Sequence, residues 1–265
     1  MRYSFLLPAL GLAALAACNK PADKPAVDTT AAAMPAPAPA KPAPMAFVTV
    51  VYNTPKSASA FEKYYWEKHV PLVQSKAAEV GFVGAELTKF DRTLDGKKPT
   101  YYRQAVLWFS DMAALEKGIA TPGFQAIGGD LKNFATGGLS GLIGEETGQH
   151  ADLLNGDTVS FVTVIYNQPK DTAAFESYYN ANHVPLVGAK ATEIAFTRAE
   201  LVRFSKNLDG TTPTTFYRQA KLYFPSADAL KKGLATPGFK EVGGDLPKFA
   251  TGGLTALVGH VTTKK

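Results

Sequence analysis

Two histidines occupy equivalent places in a repeated stretch: His69 in Tyr65-Trp66-Glu67-Lys68-His69-Val70-Pro71-Leu72, and His183 in Tyr179-Asn180-Ala181-Asn182-His183-Val184-Pro185-Leu186. The chain has only four histidines. Imidazole is the side chain whose ordinary pKa permits proton transfer near neutrality, so both are candidate general acids or bases. Tyr65 and Tyr179 precede them by one helical turn on the same face, within reach of a shared pocket. The competing reading is structural. A histidine at the kink before a proline can be satisfied by a backbone carbonyl, and the row Phe61, Tyr65, His69 otherwise reads as a core stripe.

Arg103 and Arg218 sit inside apolar strands in identical Tyr-Arg-Gln-Ala contexts. An arginine between two cores is costly unless paired. It can bind a carboxylate or enolate oxygen of a substrate, or it can pair with Glu86 or Glu200, each mid-strand on the expected neighbour. The residues favour the ion pair. Tyr52 and Tyr166 end the first strand of each copy, at a pocket mouth or in the core. Asp130 and Asp245 read as helix caps, with an acidic site role as the alternative. Gly128-Gly129 lacks dinucleotide-loop spacing and a P-loop lysine. No His/Asp/Glu cluster has metal spacing, and no cofactor is expected. His150 and His260 have no counterpart in the other copy and read as surface residues.

These residues are positioned by two copies of one unit. Phe47 to Glu145 aligns with Phe161 to His260, with one extra residue near Thr215, and more than half of the aligned positions are identical. A period of about a hundred residues means two domains rather than a solenoid. Each copy opens with a β-branched run, Phe47 to Tyr52 in the first. Ser57, or Asp171, caps a helix that continues beyond the proline of the histidine motif. Strands Phe82 to Phe90 and Tyr102 to Phe109 form a hairpin about Leu94-Asp95-Gly96. Met112 to Ile119 is helical, and Thr121-Pro122 restarts the helix. Gly128-Gly129 should break it, with Asp130 capping a last short helix before strand Leu139 to Gly144. The order is βαββαβ, a ferredoxin-like unit in an α+β chain. One sheet face is covered by helices, and the other needs a partner, which the second copy supplies. The expected assembly is an intramolecular dimeric α/β barrel, monomeric as a chain.

The N-terminus reads as an address. Arg2 precedes an apolar core from Phe5 to Ala17, too short to remain as a span. Leu15-Ala16-Ala17-Cys18 resembles a bacterial lipoprotein lipobox. That resemblance implies cleavage before Cys18 and diacylglyceryl attachment to it, which two or three acyl chains make a stable anchor. Cys18 is the single cysteine, so the folded part has neither a disulfide nor a thiolate nucleophile. Asn19 follows it, which by the same resemblance points to the outer rather than the inner membrane. An Ala/Pro-rich run to Pro44 reads as an extended spacer. The expected divisions are 1–17 signal peptide, 18–45 lipidated spacer, 46–147 first unit, 148–157 linker and 158–263 second unit. Net charge is +5, with no block of basic residues, so a nucleic-acid partner has no support.

Tyr52-Asn53 with Pro55, Ala60-Phe61-Glu62, Tyr64-Tyr65 and His69-Val70-Pro71-Leu72, repeated from Tyr166 to Leu186, resemble the signature of the EthD family in the dimeric α/β-barrel superfamily. Asp130-Leu131 through Phe134-Ala135-Thr136-Gly137-Gly138 and Asp245-Leu246 through Phe249-Ala250-Thr251-Gly252-Gly253 extend the resemblance. It implies cofactor-independent oxidoreductase-type or proton-transfer chemistry on a small hydrophobic or aromatic compound. Superfamily relatives include monooxygenases, lactone isomerases, cyclases, dehydratases and haem enzymes. A non-catalytic carrier or sensor of the envelope is the alternative, and a structural protein with a solid core the third reading. The family norm is one unit per chain; this chain carries two.

Overall fold

The computed structural model describes residues 44–148 and 159–263. The Cys18 motif, the Ala/Pro-rich run before Pro44, His150 and all but the first residue of the expected linker lie outside the described residues. Among the described residues, no helix is long and apolar enough to cross a membrane.

The first unit comprises β1 (Ala46–Asn53), α1 (Ala58–Tyr64), a π-helical turn (Tyr65–His69), α2 (Val70–Ser75), α3 (Ala77–Val80), β2 (Gly84–Thr93), β3 (Tyr101–Phe109), α4 (Met112–Ile119), α5 (Pro122–Asp130) and β4 (Leu139–Glu146). The second repeats it with β5 (Ser160–Tyr166), α6 (Thr172–Tyr178), a π-helical turn (Tyr179–His183), α7 (Val184–Ala189), α8 (Ala191–Ile194), β6 (Arg198–Asn207), β7 (Arg218–Phe224), α9 (Ala227–Leu234), α10 (Pro237–Asp245) and β8 (Leu254–Val261). The eight strands close into one barrel in the order β1-β3-β2-β8-β5-β7-β6-β4. Two seams join the units, β2 on β8 and β4 on β6, both antiparallel. Closure leaves no strand edge unpaired. The fold is the expected intramolecular dimeric α/β barrel.

Alternation along each strand divides the residues between two faces. Phe47, Val51, Val106, Trp108, Phe161, Ile165 and Tyr223 fill the lumen. Val48, Leu107, Phe109 and Ile143 face outward beneath the helices of the first unit, and Val162, Leu222, Phe224 and Val258 do so in the second.

The caps behave as the sequence suggests. Ser57 and Asp171 accept from the backbone N–H of Ala60 and Ala174, the third residues of α1 and α6, and Thr121 and Thr236 cap helices with proline in the first turn. Two expectations fail. The helix α5 runs straight through Gly128-Gly129, and the side chain of Asp130 caps nothing. Asp245 behaves the same way. Glycine weakens a helix by only about 1 kcal/mol relative to alanine, which packing against the sheet overrides. Both aspartates are used elsewhere, as described below.

The later glycine pair of each copy, Gly137-Gly138 and Gly252-Gly253, is needed for close approach. A Cβ on Gly137 would lie 2.2 Å from the Thr54 carbonyl oxygen, and Gly138 has φ +82°. Asn53 ties this corner together: its side chain donates to the Gly137 carbonyl at 3.1 Å and its backbone N–H to the Gly138 carbonyl at 3.0 Å. The two ends of the motif therefore meet in space.

Candidate functional site

The π-helical turns set the geometry. In the first, the Val70 N–H reaches back to the Tyr65 carbonyl, five residues earlier. Pro71 follows and has no N–H to give, so a regular helix would lose a bond there in any case. The wider turn carries Tyr65 and His69 toward the outer face of the sheet, and such turns recur at functional sites. The second copy repeats it from Tyr179 to His183.

His69 is buried, at 4% exposure, and its Nδ1 lies 2.8 Å from Asp130 Oδ2. Asp130 Oδ1 accepts from the Tyr64 hydroxyl at 2.7 Å and from the Asn133 amide at 2.8 Å. His183 and Asp245 repeat the pair at 2.9 Å, and the Tyr178 hydroxyl donates to Asp245 at 2.8 Å. In the second unit Lys248 takes the place of Asn133, 3.1 Å from Asp245 Oδ1.

Burial drives the His69 and His183 pKa values below their ordinary level, and the aspartate partner opposes this only in part. Burial raises Asp130, but the hydrogen bonds from Tyr64, His69 and Asn133 outweigh it and hold the carboxyl below its ordinary range. At neutral pH the pair is therefore neutral imidazole beside carboxylate. The carboxylate can only accept, so Nδ1 carries the proton and Nε2 carries the lone pair.

His69 borders a cavity of about 520 Å³ between the helices and the outer face of the sheet, together with Tyr52, Tyr65 and Trp66. His183, Tyr166, Tyr179 and Asn180 border its counterpart, about 470 Å³. The remaining walls are mainly aliphatic and aromatic, with Val50, Val70, Phe82, Leu107, Phe124 and Ile127 in the first. Burial raises the pKa of Tyr52, Tyr65 and Tyr166 and pushes Tyr179 up to about 12, so all four are neutral hydroxyls at physiological pH.

Each cavity borrows walls from the other unit. Leu208, Val261 and Thr262 line the first, and Leu94, Thr147 and Gly148 line the second.

The arginines depart from expectation. Arg103 does not pair with Glu86, nor does it border the cavity. It makes a two-pronged pair with Glu62 of α1, Nε to Oε1 at 3.0 Å and Nη2 to Oε2 at 2.6 Å, and donates to Thr262 at 2.9 Å. Arg218 does the same with Glu176 and Thr147. The reason is side-chain alternation: Arg103 faces the helices, whereas Glu86 faces the lumen. Burial alone would raise Glu62, but Arg103, Tyr102 and Lys89 bring its pKa down to about 2. The guanidinium lies 5.1 Å over the Tyr65 ring, which borders the cavity. His260 is partly exposed and pairs with Asp91 at 3.0 Å.

Asp130 and Asp245, read first as helix caps with an acidic site role as the alternative, cap nothing and pair with the histidines instead. Their signal was present: each recurs at the same place in both copies, where a cap needs only one of several residue types. Among the described residues, no group of three His, Cys, Asp or Glu is arranged to hold a metal ion.

Comparison with known proteins agrees with this architecture. The EthD domain pattern matches residues 53–138 and 167–253. An uncharacterised 11.0 kDa protein from the thcB-thcC intergenic region of Rhodococcus erythropolis is 37% identical over 99 residues, covering 37% of this chain and 92% of that protein. A putative monooxygenase of Fusobacterium nucleatum superposes with a TM-score of 0.55 at 12% identity, over 83% of this chain and 94% of that one. An anthrone oxidase-like protein gives 0.54 at 12% identity, over 83% and 92%. At such identities the two structures speak for the fold alone.

Proposed function

The chain belongs to the EthD family, and from that premise we propose that each unit binds one small, neutral, hydrophobic or aromatic molecule and moves a proton on it. The observation that carries this is the His69–Asp130 pair at the wall of an apolar cavity. Nε2 of His69 takes the proton from an acidic C–H, enol or phenol of the ligand. Asp130 keeps the Nδ1 proton in place and stabilises the imidazolium that forms. Tyr52 and Tyr65 border the same space as neutral donors for an oxygen that gains charge. General base catalysis of this kind is worth about 10²–10⁴ in rate.

Ligand charge follows from the arginines. Arg103 and Arg218 are spent on Glu62 and Glu176. Among the described residues that line the cavities there is no Lys or Arg to meet a carboxylate or phosphate, which favours a ligand neutral on entry. Oxidoreductase-type chemistry fits the same scheme if the deprotonated, electron-rich ligand gives its electrons to an acceptor from solution such as dioxygen. A structural protein with a solid core fits poorly, given cavities of about 520 and 470 Å³. A carrier would need the cavity but not the dyad.

We also infer that Cys18 is lipidated and that the protein is held at the envelope, in the outer membrane. The support is the Leu15-Ala16-Ala17-Cys18 sequence with Asn19 after it. The test of the site is to identify small molecules that co-purify, by mass spectrometry, and to follow hydrogen–deuterium exchange at the ligand's acidic position. Exchange should require His69 or His183. Binding without any exchange would make the protein a carrier.

A further inference from the structure

The lumen of the barrel holds charges that the two copies do not share. Glu86 and Glu200 are equivalent, and both are buried. Lys221 stands where the first unit has Val106, Arg198 where it has Gly84, and Tyr223 where it has Trp108; Val261 stands where it has Glu146. Lys221 is fully buried, and its ladder partner is Glu200 of its own unit. Yet its Nζ crosses to Glu86 Oε1 of the other unit, at 2.7 Å. The Tyr223 hydroxyl donates to the same carboxylate, at 2.9 and 3.1 Å. Arg198 Nη2 lies between the two carboxylates, 3.9 Å from Glu86 and 3.7 Å from Glu200, with its guanidinium 3.8 Å over the Tyr223 ring. Glu146 of β4 stands opposite Val202 of β6, two residues from Glu200 on the same face.

The division is one-sided. The first unit brings only carboxylates to this cluster, Glu86 and Glu146. The second brings both cations, Lys221 and Arg198, with one carboxylate. The Gln104–Gln219 contact, 2.8 Å, is the same residue from each unit and would form in any pairing.

We propose that this partition of charge makes the inner face of the first unit complementary to the second unit and hostile to a second copy of itself. A barrel of two first units would enclose two Glu86 and two Glu146 side chains without a cation. A barrel of two second units would enclose two Lys221 and two Arg198 against two Glu200. Unpaired buried charge is among the costliest things a fold can hold, and like-charge juxtaposition is how interfaces reject wrong partners. Duplication alone gives two interchangeable halves. Lys221 and Arg198 make them distinguishable, so chains at high local density close on themselves rather than on neighbours.

The test starts from the whole folded chain. A protease site is placed between residues 149 and 158, the folded protein is nicked, and the halves are unfolded and refolded together. Native mass spectrometry separates the mixed pair from the two like pairs by mass. Random pairing gives like and mixed pairs in equal total amounts. The proposal expects mixed pairs to exceed this ratio by at least about tenfold. Val106→Lys with Lys221→Val keeps the total charge and moves the cation to the equivalent place facing Glu200. Each face then carries its own compensation, and pairing should fall close to random. Random pairing of the nicked wild type, or undiminished selectivity of the relocated variant, would overturn the proposal. Should the halves not refold, the intact chain decides. Lys221→Val alone should lower the urea midpoint and the relocated variant should recover most of the loss; a Lys221→Val chain as stable as wild type overturns the proposal.

Discussion

His69 Nδ1 and Asp130 Oδ2 lie 2.8 Å apart across 61 residues of chain, and His183 and Asp245 reproduce the contact at 2.9 Å across 62. The aspartate comes from the last turn of the second long helix, the histidine from the π turn of the first. Replacing Asp130 and Asp245 together by asparagine leaves a hydrogen-bonding group in place but removes the charge that fixes the tautomer. Proton exchange on a bound ligand should fall by about 10²–10⁴, while His69→Gln with His183→Gln should abolish it. Stable isotope exchange measures both. Unchanged exchange in either double variant would show that the dyad is structural.

The acid side of the rate profile should lie low. Burial depresses the His69 and His183 pKa values, so the base form survives below pH 6.5. The rate at limiting ligand should therefore pass its half-point on the acid side below pH 6.5. A profile that is already half lost at pH 7 would contradict the burial argument.

Glu62 and Arg103 are a buried pair with one partner partly open to solvent, at 24% and 3% side-chain exposure. Removing one member of a fully buried pair costs about 3–5 kcal/mol; allowing for screening at Glu62, Arg103→Met should cost about 2–3 kcal/mol. Glu62→Gln with Arg103→Met should recover part of it. Denaturant titration of the three variants gives the coupling. No loss in the single variant would mean that the pair is not formed.

Glu146 offers a pH test of the lumen. Burial first, then the neighbouring Glu200, raise its pKa from 4.5 to about 7, with Arg198 opposing. The folded chain therefore holds a proton that the unfolded chain has released between these values. That contribution stabilises below pH 4.5 and is lost as pH rises to about 7. The buried histidines act the other way, losing stability as pH falls through 6.5, so the total curve mixes both. The difference between wild type and Glu146→Gln isolates the first. Relative to the variant, wild type should melt progressively lower as pH rises from 5 to 8. A constant difference would place Glu146 in an ordinary carboxylate environment.

Lipid on Cys18 is tested by fractionation. The mature protein should partition into detergent, and Cys18→Ser should remain uncleaved or soluble. Native protein found in the soluble fraction with Cys18 unmodified would end that proposal.

The unit and its duplication were legible because period-two and helical patterns recur twice with the same punctuation. The barrel followed from an apolar sheet face with no cover of its own. His69, Tyr65 and Tyr52 stood out because few histidines exist and both copies keep them. Asp130 was misread because a glycine pair before it suggested a helix break, and a local signal gives no view of the π turn 61 residues away. Arg103 was given the wrong partner because neighbouring strands do not reveal which face each side chain takes. The lumen cluster was missed for a related cause: Lys221 looks like any strand lysine until the barrel closes over it.

The π turns carry one residue more than an α-helix spends on the same advance. That surplus fixes the phase of everything before it against everything after it. Were the same residues wound as a regular α-helix, the extra one would rotate one half against the other by about 100°. Either the histidine would leave its aspartate or Phe61 would leave the core. What aligns the site is thus a count of residues as much as their kinds, and a substitution scan across the turn would never reveal it.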